Sequence, residues 1–425
     1  MTRYLIIGNS AGGVGCAEAI REVDRRGPLT IVSEEPYPAY SRPLIANYLC
    51  GETSAERMAY RDPAYYDRQN IEVLLGQPLI RIDPAERIVQ LKSGLSLHWD
   101  RLLLAIGGTP IVPPTEGLQE HEYYTFTTFD DAMRLAARLP HVRQAVVVGG
   151  GLIGLSVTEA LVKMRIGVTI VELAPQILGR ALDSHAAMMA RRAVESAGVR
   201  VLTGRTVARV HGRHSGERAV GSVTLDDGTE VPCDCLIVAI GVRPRVEVAA
   251  AAGMEVRRGI VVDRRMATSI PDIYACGDVA EALDFVTGDN RLTPIWPNAY
   301  LGGRIAGRNM AGAETLYTGG TAMNSLHSFG LSIMSAGTVD PPPGDAGYEV
   351  LRRQDPTRGS YRKIVLQNGR IVGMIFAGAI DRAGIVFGLM KNGNSVDGFK
   401  ERLLADDLGL MSLPRDLRQQ MLQQA

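Results

Sequence analysis

The stretch AVVVGGGLIGLSVTEALVKMRIGVTIVE, residues 145–172, decides the fold of this chain. Its apolar start is short, β-branched and stopped by glycines, which predicts a buried parallel strand. Three glycines in the spacing GxGxxG follow, then an apolar-periodic segment that predicts a helix, then a second strand that ends on Glu172. The three glycines are Gly149, Gly151 and Gly154. This order predicts a dinucleotide-binding fold.

Each part of the pattern has a physical role in a dinucleotide site. The first glycine permits the tight turn, the second lets the backbone approach a pyrophosphate, and the third lets helix and strand pack closely. The pyrophosphate then meets the free N–H groups and the positive end of the helix dipole. Glu172, roughly twenty residues after the turn, can accept hydrogen bonds from both hydroxyls of a ribose. The alternative is a glycine-rich turn in an ordinary α/β domain that binds no dinucleotide.

The N-terminus repeats this pattern. A strand over residues 4–7 leads into the turn 8–13, a helix is predicted over 14–25, and the next strand, 29–32, ends near Glu34 and Glu35. The middle glycine of GxGxxG is replaced by Ser10, but the spacing is kept. One chain therefore carries two predicted dinucleotide folds, a combination typical of enzymes that hold one cofactor tightly and exchange the other.

Composition narrows the class of protein. The length of 425 residues suggests two or three domains. The 46 Lys and Arg balance the 46 Asp and Glu, so no overall field favours nucleic acid or an anionic membrane. No apolar run approaches the ~20 residues of a membrane span, and a core strand begins where a signal peptide would stand. We expect a cytoplasmic protein.

The cysteines are scattered and form no CxxC motif, so neither a disulfide framework nor a cysteine-ligated metal site is predicted. They are Cys16, Cys50, Cys233, Cys235 and Cys276. Alternation along a strand would place Cys233 and Cys235 on one face, where core packing is favoured over metal binding.

Further along, two segments run from a strand into a glycine turn, residues 102–110 and 235–244. A strand then leads into Cys276-Gly277-Asp278, and a glycine-rich helix is predicted over 296–310. From about residue 320 the strands become shorter, and Asn368-Gly369 predicts a β-hairpin.

Together these segments resemble the pyridine-nucleotide and FAD oxidoreductases of the glutathione-reductase fold. The nearest likeness is to the ferredoxin and rubredoxin reductases, the flavin domain of assimilatory nitrite reductase, and flavoprotein subunits of anaerobic aldehyde or 2-oxoacid oxidoreductases. The resemblance implies an α/β fold with two Rossmann-like dinucleotide-binding domains. An FAD-binding domain is expected over residues 1–112 and 244–319, an inserted NAD(H)-binding domain over 113–243, and a C-terminal α/β interface domain with a helical tail over 320–425.

The resemblance also implies site residues. It places the FAD pyrophosphate on the turn 8–13, the adenosine ribose near the two acids that follow, the phosphates on Arg42 and the ribityl chain on Asp278. A carboxylate at a strand end that opens a helix can accept from a ribityl hydroxyl, and the alternative for Asp278 is a plain helix N-cap. The expected FAD-binding residues are Gly8, Ser10, Ala11, Gly12, Gly13, Glu34, Glu35, Arg42, Asn47, Leu79, Gly107, Thr109, Asp278 and Ala299. The expected NAD-binding residues are Gly149, Gly151, Leu152, Ile153, Gly154, Glu172 and Gly241.

The chain departs from the family pattern in three places. Disulfide reductases of the family carry a redox-active cysteine in the region that here reads YSRPLIAN, residues 40–47, so a disulfide substrate is not expected. Cys50 comes too late and is interpreted as structural. Related reductases often place a lysine where Asn47 stands and a glutamate where Ser156 stands, and both are neutral here, so no ion pair is carried over. Cys276 borders the flavin site and is given no chemistry.

Exchange of a hydride between nicotinamide and flavin needs no protein acid or base, so no catalytic residue and no metal ligand is expected. We predict an FAD-dependent NADH:acceptor oxidoreductase that exchanges single electrons with an iron–sulfur protein or with the iron–sulfur subunit of a larger complex. Two alternatives stay open: an NADH oxidase that uses oxygen directly, and a non-catalytic FAD-binding redox-sensing scaffold. Glu172 predicts a preference for NADH over NADPH, because a 2′-phosphate would meet a carboxylate, and a nearby Arg180 could weaken that preference.

Two surface features could serve docking. The basic run Arg352, Arg353, Arg358, Arg362 and Lys363 is interpreted as a solvated face, with docking of an acidic redox protein as the alternative. In the C-terminal tail, Leu413, Leu417, Met421 and Leu422 form a predicted apolar stripe that either docks a larger partner or folds back on its own domain.

Overall fold

A computed structural model describes residues 1–214, 218–342, 344, 347–415 and 417–419. The chain forms two compact units, Met1–Pro110 with Val242–Ala322, and Ile111–Gly241 with Met323–Ala425. The second unit therefore combines two of the three segments that are predicted as domains. The division into three domains stays a prediction.

The strands of the described residues, in chain order, are β1 (Tyr4–Ile7), β2 (Leu29–Val32), β3 (Glu72–Leu74), β4 (Leu79–Asp83), β5 (Ile88–Leu91), β6 (Ser96–His98), β7 (Arg101–Leu104), β8 (Gly108–Pro110), β9 (Gln144–Val148), β10 (Gly167–Glu172), β11 (Arg200–Thr203), β12 (Val207–Gly212), β13 (Val220–Leu225), β14 (Glu230–Pro232), β15 (Cys235–Val238), β16 (Val242–Pro244), β17 (Ile260–Val261), β18 (Ile273–Ala275), β19 (Ala280–Leu283), β20 (Asn290–Arg291), β21 (Met323–Ser328), β22 (Leu331–Gly337), β23 (Tyr348–Asp355), β24 (Ser360–Gln367) and β25 (Arg370–Ala377).

The helices of the same residues are α1 (Ala11–Val23), α2 (Ile45–Leu49), α3 (Tyr65–Arg68), α4 (Phe129–Arg138), α5 (Leu152–Lys163), α6 (Ser184–Ser196), α7 (Glu247–Ala251), α8 (Trp296–Met310) and α9 (Ala383–Lys391).

The first unit is built on a parallel sheet with the strand order β18-β7-β1-β2-β3. All four residues of β1 are buried, as the apolar run predicts. The parallel register of β1 with β2 and β7, and of β7 with β18, brings their carboxyl ends to one edge of the sheet. That edge carries the turn 8–13 and the residues that follow β2, β7 and β18, which is where open α/β sheets bind ligands.

Helices α1 and α8 of this unit approach each other closely because glycines line their contact. A Cβ on Gly303 would lie 2.0 Å from the carbonyl oxygen of Gly12, and one on Gly307 would lie 2.3 Å from that of Cys16. A Cβ on Gly15 would likewise lie 2.6 Å from the carbonyl oxygen of Tyr300. The glycines of 296–310 are therefore required for the close packing of α8 against α1.

The second unit repeats the arrangement with the parallel order β11-β10-β9-β15. The turn after β9 leads into α5, and β10 ends on Glu172 as predicted. An antiparallel sheet, β12-β13-β14, packs on it through a valine-rich cluster that includes Val146, Val223 and Leu236. The predicted Rossmann-like pattern of strand, glycine turn, helix and strand is thus present in both units.

The C-terminal part of the second unit is an antiparallel sheet in the order β21-β22-β25-β24-β23, with α9 against β25. Asn368 and Gly369 both have positive φ, +50° and +69°, and join β24 to β25. Positive φ at both central positions is the geometry of the two-residue turn that this dipeptide favours. The predicted hairpin is confirmed.

Two local predictions are wrong. Asp278 does not open a helix: it lies in a three-residue 3-10 turn, Gly277–Val279, that runs directly into β19. Cys233 and Cys235 do not alternate along one strand, because Cys233 follows β14 and Cys235 begins β15, although both are buried.

Among the described residues, none of the helices combines the length and the apolarity required to cross a lipid bilayer.

Candidate dinucleotide-binding sites

The turn between β1 and α1 is closed by glycine. Gly8 has φ +119°, and a Cβ there would lie 2.1 Å from the carbonyl oxygen of Ala105. A Cβ on Gly13 would lie 1.8 Å from the carbonyl oxygen of Gly8. The first α-helical hydrogen bond runs from the Val14 N–H to Ser10, so the N–H groups of Ala11, Gly12 and Gly13 stay available at the positive end of the helix. A cradle of this kind fits a pyrophosphate.

Ser10 replaces the middle glycine without strain. Its backbone is extended, with φ −124° and ψ −160°, which any residue adopts. The equivalent position in the second unit, Gly151, has nothing within 4 Å of an added Cβ. The packing of the protein therefore does not require glycine at position 151, and the extended backbone of Ser10 does not require it in the first turn.

Asn9 lies inside the first turn and supplies an observation that bears on the fit. Its side-chain oxygen, Oδ1, accepts a hydrogen bond from the Tyr66 hydroxyl at 3.0 Å, and Tyr66 in turn accepts from the Ala39 N–H at 3.0 Å. The Asn9 Nδ2 is buried and has no hydrogen-bond partner within the described residues. A buried donor without an acceptor, placed in a phosphate turn, is what a bound anionic group would satisfy. The residues therefore fit FAD.

The two acids after β2 each have a cationic partner. Glu35 pairs with Arg42 and accepts a hydrogen bond from the Tyr40 hydroxyl at 2.6 Å. Glu34 pairs with Arg245, whose Nε also donates to Thr109 Oγ1 at 3.0 Å. Arg245 therefore joins an expected ribose-binding acid to an expected flavin-site threonine.

Asp278 lies close enough to Arg42 to feel its charge. Burial raises the pKa of the Asp278 carboxyl, and the nearby Arg42 guanidinium lowers it in part. Among the described residues, no group donates a hydrogen bond to this carboxylate. A desolvated acceptor without a donor is suited to a hydroxyl of a ligand. The N-cap alternative fails because Asp278 lies inside the 3-10 turn Gly277–Val279, whose N-cap residue is Cys276.

Four further expected FAD residues have the following contacts. Ala299, in α8, lies beside Gly277, whose added Cβ would be 3.4 Å from the Ala299 Cβ. The Gly107 carbonyl accepts from the Arg245 N–H at 3.1 Å. Leu79 packs on the core of the first unit, and the Asn47 amide donates to Glu52 Oε2 at 2.8 Å.

In the second unit, Glu172 turns back onto the glycine turn. Its carboxylate accepts hydrogen bonds from the Gly150 N–H at 2.6 Å and from the Ala174 N–H at 2.7 Å. A Cβ on Gly154 would lie 1.9 Å from the carbonyl oxygen of Gly149, which has φ +110°. The acid is thus held by the turn itself, beside the place where a ribose is expected.

The helix that follows has the same free N-terminus as α1. The first bond of α5 runs from the Leu155 N–H to Gly151, which leaves the N–H groups of Leu152 and Ile153 available. Gly241 has φ +109° and its carbonyl accepts from the Ile111 N–H at 2.9 Å. The structure therefore brings glycine turn, helix start and acid together in one place.

The cysteines are mostly inaccessible. Cys16, Cys233, Cys235 and Cys276 are buried, and burial raises the pKa of the Cys276 thiol to about 12. The Cys276 Sγ lies where a Cβ on Gly12 would come within 2.7 Å, so this thiol packs beneath the turn. Cys50 is partly exposed and its thiol donates to the Asn47 carbonyl at 3.5 Å. A reactive thiolate needs a low pKa and access, which these four buried thiols do not have.

The basic run of the C-terminal part is not a free cationic face. Lys363 is fully buried, with its Nζ 3.0 Å from Asp183 Oδ2, and the Tyr361 hydroxyl donates to the same oxygen at 2.6 Å. Arg353 and Arg362 both pair with Asp406, at 2.7 and 3.0 Å. The docking interpretation of this run is therefore not supported, and the interpretation as a wholly solvated face is wrong at Lys363.

The tail stripe is described only in part. Leu413 is buried, which agrees with folding back at this position. Met421 and Leu422 lie outside the described residues.

Sequence reasoning missed Asn9, Tyr66 and Arg245. Asn9 could have been noticed as a polar side chain inside the predicted phosphate turn, and Arg245 as a cation just after the second strand-and-glycine segment. No local pattern marks Tyr66, because its role depends on a hydrogen bond across 57 positions.

Two Rossmann-like folds with intact phosphate turns define the class of this protein, an FAD- and NAD(H)-dependent oxidoreductase. The chain belongs to the pyridine nucleotide-disulphide oxidoreductase family, whose sequence profile matches residues 2–303. Residues 323–394 match the rubredoxin NAD+ reductase C-terminal domain. The predicted family, α/β fold, class of enzyme and cofactors are confirmed.

Three comparisons illustrate the likeness. The chain is 32% identical over 412 residues to the epsilon subunit of NADH-dependent phenylglyoxylate dehydrogenase from Aromatoleum evansii, covering 96% of each chain. It is 28% identical over 391 residues to the NAD(P)H nitrite reductase of Bacillus subtilis, covering 92% of this chain but only 47% of that enzyme. A crystal structure of a ferredoxin reductase from Rhodopseudomonas palustris superimposes with a TM-score of 0.84 at 26% identity, covering 93% of this chain and 96% of that one.

Proposed function

We propose that this protein is an NADH:acceptor oxidoreductase that binds FAD tightly and passes electrons singly to an iron–sulfur protein or to the iron–sulfur subunit of a larger redox complex. The observation that carries the proposal is the presence, on one chain, of two sterically closed phosphate turns, each followed by an acid at the end of the next strand. The likeness to a ferredoxin reductase and to a subunit of an NADH-dependent dehydrogenase supports it.

In this proposal the first turn binds the FAD pyrophosphate through the free N–H groups at the start of α1. Arg42 contributes positive charge toward the phosphates, and the Asp278 carboxylate accepts a hydrogen bond from the ribityl chain. Glu34 and Glu35 lie beside the adenosine ribose, where Glu34 is paired with Arg245 and Glu35 with Arg42. Asn47, Leu79, Gly107, Thr109 and Ala299 remain part of the proposed FAD site.

The second turn binds the pyrophosphate of NAD(H) in the same way, through the N–H groups of Leu152 and Ile153. Glu172 accepts hydrogen bonds from the ribose hydroxyls and would repel a 2′-phosphate, so NADH is preferred over NADPH. Gly241 stays in the proposed site at the end of the strand-and-glycine segment.

When bound, FAD supplies an acceptor that takes two electrons together and releases them one at a time. NADH is oxidised to NAD+ with loss of two electrons and a proton, and two equivalents of a one-electron acceptor are reduced. The chain's own residues bind and orient the two cofactors and add no acid, base or thiolate. The direction of flow depends on the potential of the partner.

The test is steady-state oxidation of NADH without oxygen, with ferricyanide or a purified ferredoxin as acceptor. We expect a yellow protein with about one FAD per chain that reduces both acceptors. Rapid oxidation of NADH with oxygen alone, and none with ferredoxin, would instead identify an oxidase. A folded protein that binds FAD but reduces no acceptor would point to a redox-sensing scaffold.

The cytoplasmic location predicted from the sequence belongs to this proposal as well. Fractionation of the native host, with activity measured in each fraction, tests it.

A further inference from the structure

The first phosphate turn contains a chain of three groups with a fixed direction. The Ala39 N–H donates to the Tyr66 hydroxyl oxygen at 3.0 Å, and Tyr66 lies 3.0 Å from Asn9 Oδ1. A tyrosine hydroxyl has one proton to donate. Because its oxygen already accepts from Ala39, that proton is directed to Asn9.

The direction of this chain decides how the Asn9 amide is oriented. With Oδ1 toward Tyr66, the hydroxyl and the amide oxygen are both satisfied and only Nδ2 lacks a partner. With the amide reversed, Nδ2 would donate to Tyr66, but Oδ1 and the Tyr66 proton would both be left without partners among the described residues. The first orientation is favoured because it leaves fewer buried groups unsatisfied.

The result is a buried N–H donor held in the turn between Gly8 and Ser10. A donor in this place costs free energy unless an acceptor meets it. The turn already presents the N–H groups of the α1 start, so an acceptor that enters it carries negative charge. Asn9 lies in the same short turn as these N–H groups, so its side chain can supply a further donor there.

We propose that Asn9 Nδ2 donates a hydrogen bond to the FAD pyrophosphate and that Tyr66 is the positioning residue that orients it. This inference rests on the proposed function, since it requires FAD in the first unit. Tyr66 acts only through Asn9. It ties the loop at Ala39 and helix α3 to cofactor binding.

The test uses the full chain stripped of FAD and titrated with FAD, with binding followed by flavin fluorescence. Asn9→Asp keeps an oxygen to accept from Tyr66 but replaces the donor by a negative charge, so we expect FAD binding to weaken by more than tenfold. Asn9→Ala should weaken it by about tenfold, and Tyr66→Phe by several-fold, because the amide is then free to turn.

Tyr65→Phe is the matched control. Tyr65 is the neighbouring tyrosine in α3, it is buried, and its hydroxyl has no hydrogen-bond partner within the described residues. This variant removes the same atom at almost the same place and should bind FAD as the wild type does. Circular dichroism of each variant establishes that it is folded.

Two further measurements separate the proposed contact from a general disturbance of the turn. With ADP as the probe, the Asn9→Asp penalty should persist, and with adenosine, which lacks the pyrophosphate, it should vanish. In the Asn9→Ala background, Tyr66→Phe should have no additional effect, because the residue through which it acts is gone.

Wild-type affinity in folded Asn9→Asp, or independent effects of the Asn9 and Tyr66 substitutions, would overturn the inference while leaving the proposed function intact. Failure of the wild-type chain to bind FAD would instead overturn the proposed function.

Discussion

At the scale of single residues, two carboxylates in the candidate sites differ in how they are held. Glu172 accepts hydrogen bonds from the backbone N–H groups of Gly150 and Ala174, whereas Asp278 has the nearby charge of Arg42 but no hydrogen-bond donor among the described residues. The protein therefore stabilises the Glu172 carboxylate through hydrogen bonds, whereas burial destabilises the Asp278 carboxylate. We expect loss of the Glu172 carboxylate to lower the free energy of unfolding and loss of the Asp278 charge to raise it.

Glu172→Ala should weaken NADH binding by about tenfold or more, because the ribose loses a charged acceptor. The affinity for NADPH should fall less, because the repulsion between its 2′-phosphate and the carboxylate is relieved. The preference for NADH over NADPH therefore becomes smaller. Steady-state kinetics with both nucleotides measure this, and unchanged FAD content is the internal control. An equal or better NADPH efficiency in the wild type would contradict the role of Glu172.

Asp278→Asn should stabilise the FAD-free protein and weaken FAD binding by roughly tenfold, since a charged acceptor is lost. Burial raises the pKa of Asp278, so between its ordinary and its raised pKa the folded chain binds more protons than the unfolded chain. The free energy of unfolding of the FAD-free wild type therefore falls as the pH rises through that window, and the Asn variant should lack this component.

Thermal unfolding of both FAD-free proteins across acidic and neutral pH measures the difference. If Asp278→Asn is less stable than the wild type at neutral pH, burial of the Asp278 carboxylate does not destabilise the FAD-free protein.

Lys363 offers a further test at this scale, because its charge is buried against Asp183. Lys363→Ala should lower the free energy of unfolding by about 3–5 kcal/mol, since it leaves the Asp183 carboxylate without its cation. The solvent-accessible pair Lys400–Glu349, 2.8 Å apart, is the control, and Lys400→Ala should cause no measurable change. Chemical denaturation of the three proteins measures this, and equal midpoints would show that the buried pair is not needed.

At the scale of elements, the two phosphate turns follow one rule with different residues. In each, the third glycine of the motif allows the helix to touch the first glycine, and the middle position of the second turn, Gly151, faces open space. The rule explains why Ser10 is tolerated in the first turn. It also predicts which glycine of the second turn serves the protein and which serves the ligand.

Gly154→Ala should destabilise the second unit by about 1–3 kcal/mol or more, because its Cβ would overlap the Gly149 carbonyl, and should abolish reduction by NADH. Gly151→Ala should leave folding intact and weaken NADH binding alone. In both variants the first unit should still hold FAD. Thermal unfolding with NADH titration measures the contrast, and an unfolded Gly151→Ala protein would contradict the assignment.

At the scale of the whole molecule, the C-terminal tail is the segment whose role the sequence left open between docking and folding back. Leu413 is buried and belongs to the second unit. Any docking role therefore falls on the residues after it, and a truncation should begin at Pro414 so that Leu413 is kept.

Deletion of Pro414 to Ala425 should leave FAD content and dye reduction unchanged and should abolish co-purification with the iron–sulfur partner from the native host. The physical reason is that an apolar stripe with a polar rim stabilises contact with another subunit and plays no part in binding either cofactor. Normal co-purification of the truncated chain would mean that the tail only covers its own domain.

Both dinucleotide folds, the Glu172 turn and the Asn368-Gly369 hairpin could be predicted from the sequence alone. Each depends on spacing within a short segment, which is where glycine placement, apolar periodicity and turn preference act. The helix proposed at Asp278 failed because a three-residue turn and a helix start share the same local residues, and the next strand decides between them.

Only the tertiary structure decided which partners the charged and polar groups have. Arg245 meets Glu34 across 211 positions, Tyr361 meets Asp183 across 178, and Tyr66 meets Asn9 across 57. The energy of a buried charge or amide depends on the groups around it in space, and its neighbours in sequence do not specify them. The sequence therefore determined the two dinucleotide folds, and the tertiary structure determined which hydrogen-bond and ion-pair partners the side chains around their turns have.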